Sequence, residues 1–279
     1  NPLPRIGSGD GLIFFNFRED SMRELVEAFT IPAFLPIRPD PIPNLAIATM
    51  TRYEPNIPVA VGFEREEVSS PLGEVVARAG KRQLRIAESE KYAHVTYFFN
   101  GGKEAALAGE EREIIPSGST PHFDEHPEMG AGDLAERVSK HIEKDEFDFY
   151  VLNFANADMV GHTGNFSATA RALEAIDAAL GKLEKTVLSK DGVMLITADH
   201  GNAEEKMDPI SGEARTEHTM NPVPLWLIGR EFQNKKFPPE SEPSGVLSDV
   251  APTLLSLMDL AIPAEMTGKS FLPLLISRS

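Results

Sequence analysis

Val193-Met194-Leu195-Ile196-Thr197-Ala198-Asp199-His200-Gly201-Asn202 is the stretch from which the fold is read. Its apolar and near-apolar run has the length of a buried strand, and an acid, an imidazole and a glycine follow at once. In a parallel α/β sheet, ligands bind beyond the carboxyl ends of the strands. Asp199 and His200 would stand there. A hard oxygen ligand beside a nitrogen ligand suits a divalent ion such as manganese or zinc. A single Asp-His pair serves a turn equally well, so the rest of the chain has to decide.

Working outward, Phe147–Phe154 reads as a second strand and the Pro-flanked Val223–Ile228 as a third. Leu173, Ile176, Leu180, Leu183 and Val187 recur at helical spacing. Leu134, Val138 and Ile142 share one helix face, Leu72–Ala79 reads as a helix, and another apolar helix is expected around Leu254–Leu260. Leu84–Ala87 is a short strand, and Glu88–Ala93 a turn of helix before apolar Val95–Phe99. Residues 114–131 lack periodicity and read as a surface loop. Strands alternating with helices predict a mostly parallel sheet covered on both faces. Toward the start, Leu12–Phe17 and Leu45–Tyr53 read as strands and Ser21–Phe29 as a helix. Ile31–Asn44, with prolines at 32, 36, 39, 41 and 43, is expected to be extended. Pro55–Phe63 resembles a linker, and the shift to charged, helix-like sequence puts a domain boundary near residue 62. The division is therefore 1–62 and 63–279.

Composition narrows the partners. The 279 residues hold 41% hydrophobic side chains, ordinary for a globular core, and 27 basic against 43 acidic residues give a net charge of −16. Such a surface repels nucleic acid and anionic membranes. An anionic substrate would need a locally positive pocket built from metal ions and a few Lys or Arg. With no cysteine there is neither a disulfide framework nor thiolate chemistry. No 18-residue apolar run or signal-peptide pattern is present, and a cytoplasmic protein is expected. The chain opens Asn1-Pro2 without a methionine, as a processed or truncated piece would.

The chemistry gathers at three segments. Asp158-Met159-Val160-Gly161-His162 follows the 147–154 strand and spaces an acid and an imidazole four apart, on one side of a helix. Asp199-His200 ends the 193–198 strand, and Thr216-Glu217-His218-Thr219 precedes the Val223 strand. Asp158 would also serve as a helix cap, and a lone histidine such as His218 is more often a hydrogen-bonded residue than a ligand. His94, His122, His126 and His141 are read that way. Co-location favours ligands for the others: three imidazoles and two carboxylates at strand ends can hold two ions with positions open for substrate oxygens.

Asn156–Gly164, Thr197–Asn202, Thr216–Thr219, Ala87–Thr96 and Phe15-Asn16-Phe17-Arg18 closely resemble, in order and spacing, the motifs of cofactor-independent phosphoglycerate mutases. That family belongs to the alkaline-phosphatase-like superfamily, needs no 2,3-bisphosphoglycerate, and uses two divalent ions, commonly manganese, with zinc, magnesium or cobalt as alternatives. The resemblance implies a three-layer α/β/α metal domain over 63–279. Residues 1–62 would be the end of an inserted α/β transferase domain that binds substrate. It also implies that Asp158, His162 and His218 ligate one ion and Asp199 and His200 the other. Lys91 would be the catalytic lysine supporting the transferred phosphoryl group, and Arg18 a substrate-binding arginine. Physics agrees with the last two: an ammonium stabilises charge in flight, and a guanidinium fork suits carboxylate or phosphate.

The implied function is glycolytic interconversion of 3-phosphoglycerate and 2-phosphoglycerate through a phosphoserine, an isomerase reaction. The family's nucleophilic serine and an early metal-binding Asp have no counterpart here, so the chain alone is expected to lack turnover. The missing part includes a sheet strand, and its absence predicts self-association through open edges. Ser21 stands where the family usually has a second arginine, and Ser89 where it has Thr. A phosphopentomutase or phosphatase of the same superfamily, or a non-catalytic metal-binding fragment, are the alternatives.

Overall fold

A computed structural model of the chain describes residues 5–31, 42–64, 68–118, 122–236 and 245–277, with only the backbone of Asp20, Ser21, Ile276 and Ser277. Prolines 32, 36, 39 and 41 of the expected extended segment lie outside the described residues, as does the side chain of Ser21. The chain divides into two compact units, Asn1–Glu67 and Val68–Ser279.

In the first unit, β1 (Gly11–Phe14), α1 (Glu19–Thr30), β2 (Ala46–Thr51) and β3 (Ala60–Phe63) form a three-stranded parallel sheet in the order β1-β2-β3 with one helix. The stretch from Pro55, read as a linker, thus ends in a strand whose Val61 pairs with Thr49. α1 turns Val26 fully inward against Tyr53 and Ile57, while Leu25 faces solvent.

The second unit contains α2 (Leu72–Arg78), β4 (Gln83–Glu88), β5 (Glu110–Ile115), α3 (Ala131–Glu143), β6 (Phe149–Asn153), α4 (Asn156–Gly161), α5 (Phe166–Ser189), β7 (Met194–Thr197), β8 (Leu225–Ile228), β9 (Lys235–Lys236), α6 (Val250–Leu257) and β10 (Ile276–Ser277). Strands β5-β4-β6 run parallel, with Leu84 opposite Glu111 and Tyr150. β4 is buried along its whole length because both faces are covered. Leu84 and Ile86 meet Leu134, Val138 and Leu183 from α3 and α5. On the opposite side Phe149 and Val151 pack with Leu72, Val76 and Leu255 from α2 and α6. The expected layering of helices on both faces of a parallel sheet is present.

Two local expectations are corrected, at β5 and β7, and the helical turn expected over 88–93 is extended. The loop expected from Ile114 onward begins later, because Glu110–Ile115 is strand β5, in which Glu110-Glu111-Arg112-Glu113 hides any apolar signal. Among the described residues β5 is an edge strand, where charge is tolerated and discourages further pairing. His94–Phe98 is a π-helical turn that continues the short helix Ser89–Lys91. The deciding strand β7 pairs antiparallel with β8, Met194 opposite Ile228, and has no parallel partner among the described residues. The connection explains this. No helix lies between Thr197 and Leu225, and the chain doubles back through bridges Gly201–Thr219 and Met207–Ala214. A chain that reverses without a crossover pairs antiparallel.

Candidate metal centre

Asp158 sits in the first turn of α4 and His162 just past its end, four residues on, so one turn of helix stacks the two side chains. Asp158 Oδ1 lies 3.1 Å from His162 Nε2 and 3.1 Å from His218 Nε2, and the two imidazole nitrogens are 3.0 Å apart. Ligand atoms about 2.1 Å from a six-coordinate ion stand about 3 Å from their neighbours, so this triangle has the size and donor chemistry of one face of a divalent-ion site. Among the described residues it is the one group of three with that spacing.

The donors around the triangle prepare it. His162 Nδ1 lies 2.6 Å from the Thr216 carbonyl, which only accepts, so Nδ1 holds the proton and Nε2 keeps its lone pair for a cation. Asp158 Oδ2 accepts from the buried Lys91 ammonium, and Asn202 Nδ2 donates to Oδ1 at 2.9 Å. Burial alone would push the Asp158 carboxyl up. The hydrogen bonds from Lys91 and Asn202, with the Lys91 charge, outweigh it and hold the group well below the usual carboxylate range. His218 is shifted below the ordinary imidazole value, first by burial and then by facing His200 and His162, with Asp158 opposing. A neutral His218 and an ionised Asp158 are the ligand forms.

His218 is delivered by the loop before β8. Thr219 N donates to the Gly201 carbonyl at 2.9 Å, and Glu204 accepts from the Thr219 hydroxyl, from Asn221 Nδ2 at 3.0 Å and from Asn202 N at 2.7 Å. A methyl group on Gly201 would lie 2.1 Å from Thr219 Oγ1 and 2.4 Å from Glu204 Oε1, so the clamp requires glycine there. Burial works against ionised Glu204, but the Thr219, Asn221 and backbone donors bring its pKa from 4.5 to about 2. A depressed carboxylate pKa stabilises the fold above the unfolded value and loses that contribution as pH falls through the folded one. The Glu204 contribution is therefore complete above about pH 4.5 and fades toward pH 2. Glu204→Gln is expected to flatten this part of the acid-unfolding curve; urea midpoints between pH 2 and 6 that track the parent would refute the assignment.

Asp199 and His200 occupy the end of β7 as expected, but they join no third ligand among the described residues. Asp199 Oδ2 and His200 Nε2 are 3.6 Å apart. The His200 ring stacks on His218 with centroids 3.7 Å apart and planes 20° from parallel, so the pair borders the triangle without entering it. Lys91 reaches the site from the carboxyl end of β4. Arg18, exposed, precedes α1 in the first unit, its N–H bonded to Asn16 Oδ1 at 2.8 Å. His141, read as a hydrogen-bonded residue, lies 2.7 Å from Glu113 and also meets Glu146. Residue patterns gave no role to Asn202, Glu204 or Lys206. The only local signal was the pair of glycines, 161 and 201, on which the side chains of Asn202 and Glu204 close.

A family model described as the metalloenzyme superfamily matches residues 19–262. The chain is 47% identical over 272 residues to the 2,3-bisphosphoglycerate-independent phosphoglycerate mutase of Synechococcus sp. (strain JA-3-3Ab), covering 96% of the chain and 51% of that protein. It is 44% identical over 270 residues to the same-named protein of Ectopseudomonas mendocina, covering 97% and 52%. A crystal structure of Leishmania mexicana phosphoglycerate mutase at low cobalt concentration superposes with a TM-score of 0.79 at 28% identity, over 99% of the chain and 52% of that structure. The chain spans about half the length of the curated relatives it matches.

Proposed function

The chain belongs to the metalloenzyme superfamily, and on that premise we propose that it supplies the metal-binding part of a phosphoglycerate mutase that works without 2,3-bisphosphoglycerate. The observation that carries this reading is the triangle of Asp158, His162 and His218 at 3.0–3.1 Å, with Lys91 held on the free oxygen of Asp158. In this reading Asp158, His162 and His218 hold one divalent ion, with manganese the first to test. Asp199 and His200 hold a second, completed by the early Asp that the family resemblance places elsewhere. Such ions polarise a phosphoryl oxygen and lower the pKa of a bound hydroxyl.

The chain's own residues then divide the remaining work. Lys91 presents an ammonium with three N–H donors, of which Asp158 engages one, beside the triangle. A phosphoryl group arriving there meets a fixed positive charge already aimed at it, which is how such an ammonium stabilises charge in flight. Asp158 holds and aims the Lys91 ammonium; removing Asp158 leaves that ammonium buried without its partner, whereas Asp158 also keeps Asn202, His162 and His218 beside it. Arg18 would bind the carboxylate or phosphate of the glycerate with its planar fork. Residues 1–62 would form the end of the substrate-binding domain and 63–279 the larger part of the metal domain. The protein would act in the cytoplasm, in glycolysis.

Calorimetric titration with Mn²⁺ tests the proposal. The chain is expected to bind manganese, and His218→Ala to lose the ion held by the triangle. Binding left unchanged by that substitution would remove the assignment. Because the serine nucleophile has no counterpart here, the chain alone is expected not to convert 3-phosphoglycerate. Restored turnover on adding the remaining half of the parent protein would support the reading, while turnover by the chain alone would overturn it.

A further inference from the structure

Behind the triangle lies a buried cation that the proposed chemistry does not use. Lys206 is 5% exposed and Asn202 4%. Lys206 Nζ donates to the Gly161 carbonyl at 3.0 Å and to Asn202 Oδ1. Asn202 in turn donates from Nδ2 to Asp158 Oδ1 at 2.9 Å, and weakly to the Asp158 carbonyl at 3.4 Å. The whole relay rests on a missing side chain, because a Cβ at Gly161 would lie 2.5 Å from Asn202 Oδ1.

The two ends of a carboxamide are nearly the same shape, so packing alone does not choose between its two orientations. Charge does. An ammonium has donors only, and a carboxylate accepts only. In the observed orientation the amide oxygen faces Lys206 and the NH₂ faces Asp158. The flipped amide would set NH₂ against ammonium and oxygen against carboxylate, two repulsive contacts between buried groups.

We propose that Lys206 is a positioning residue: it locks the Asn202 amide so that its NH₂ holds the Asp158 carboxylate in the plane that turns Oδ1 toward His162 and His218. The inference rests on the reading of the triangle as a metal site. Lys206 touches none of the proposed ligands. Its charge by itself would disfavour a nearby cation, so removing it would strengthen metal binding if charge alone mattered. Orientation predicts the opposite sign, which makes the two effects separable.

The test is a double-mutant cycle on the 279-residue chain, read in two ways. Lys206→Met removes the donor and keeps a long side chain. In the metal-free protein, the Asn202 side-chain amide protons are expected to change shift and exchange faster in Lys206→Met than in the parent. An unchanged amide signal overturns the proposal whether or not metal binds. By calorimetry, Lys206→Met is expected to weaken Mn²⁺ binding about 10-fold or more, the usual size of an outer-sphere loss. In an Asn202→Ala background the same substitution is expected to change affinity less than about 2-fold, or to raise it. Equal losses in both backgrounds would show that Lys206 acts without Asn202 and would also overturn the proposal. If the parent binds no manganese while the amide signal responds to Lys206→Met, the orienting relay stands and the metal reading falls.

Discussion

Asp158→Asn is expected to cost the metal-free chain about 3 kcal/mol of folding stability and to reduce Mn²⁺ affinity by more than about 100-fold. The stability loss comes from Lys91. Its side chain is 9% exposed and that of Asp158 15%, and Asp158 is the one partner of the Lys91 ammonium among the described residues. A buried ion pair adds little net stability when intact, because desolvation cancels most of the attraction. Breaking it from one side is different, since the remaining charge is then buried and uncompensated. Asparagine keeps the shape and loses the charge, so cavity formation does not confuse the result. The pH dependence has a definite sign. The Asp158 carboxyl is held below its ordinary value, so the parent's advantage is complete above the unfolded carboxylate range near pH 4 and is lost as pH falls through the folded value. Urea unfolding of both proteins at pH 7 and pH 3 measures this. A variant as stable as the parent at pH 7 would mean that the contact between Lys91 and Asp158 does not carry this stability.

Leu84→Ala is expected to cost about 3 kcal/mol, within the 2–5 kcal/mol range for a leucine truncated in a packed core. Leu84 is fully buried on the central strand β4 and packs in the cluster containing Leu134, Val138 and Leu183. Helices α3 and α5 pin that side of the sheet, so the hole has little freedom to collapse. The same strand carries Lys91 three residues past its end, and a shifted β4 would move the ammonium relative to Asp158. The matched control is Leu173→Ala on α5, where the leucine is 44% exposed and the expected loss is under about 1 kcal/mol. Chemical denaturation of both variants gives the comparison; equal losses would contradict the burial that separates them.

Leu173 also shows where periodicity reaches its limit. The stripe Leu173, Ile176, Leu180, Leu183, Val187 correctly announces a helix, and α5 runs through all of it. The buried positions of α5 are Ala168, Thr169, Ala172, Ala179 and Leu183, so of the stripe Leu183 alone is fully buried and Leu173 lies outside. Alanine lets α5 approach α4, where Val160 packs with Ala168 and Ala172. A pattern of large side chains locates a helix but does not say which neighbour will come close enough to require small ones.

The sequence by itself determined the alternation of strands and helices, the two faces of the parallel sheet, and the ligand candidates at strand ends, because these depend on residue type and spacing along the chain. Asp158 and His162 are legible together because one helical turn fixes their separation. Residue spacing alone did not join His218, in a loop 56 residues beyond His162, to that pair; the family resemblance did, and the folded chain brings its Nε2 within 3.0 Å of His162 Nε2. Tertiary structure alone set β7 antiparallel to β8, and placed Lys91, Asn202 and Lys206 around a single carboxylate. The physical reason is the same in each case. Hydrogen bonds and ion pairs act over about 3 Å in space, whatever the distance along the chain. Only the folded backbone, with Gly161 and Gly201 leaving room for the side chains that close on them, brings those groups within that reach.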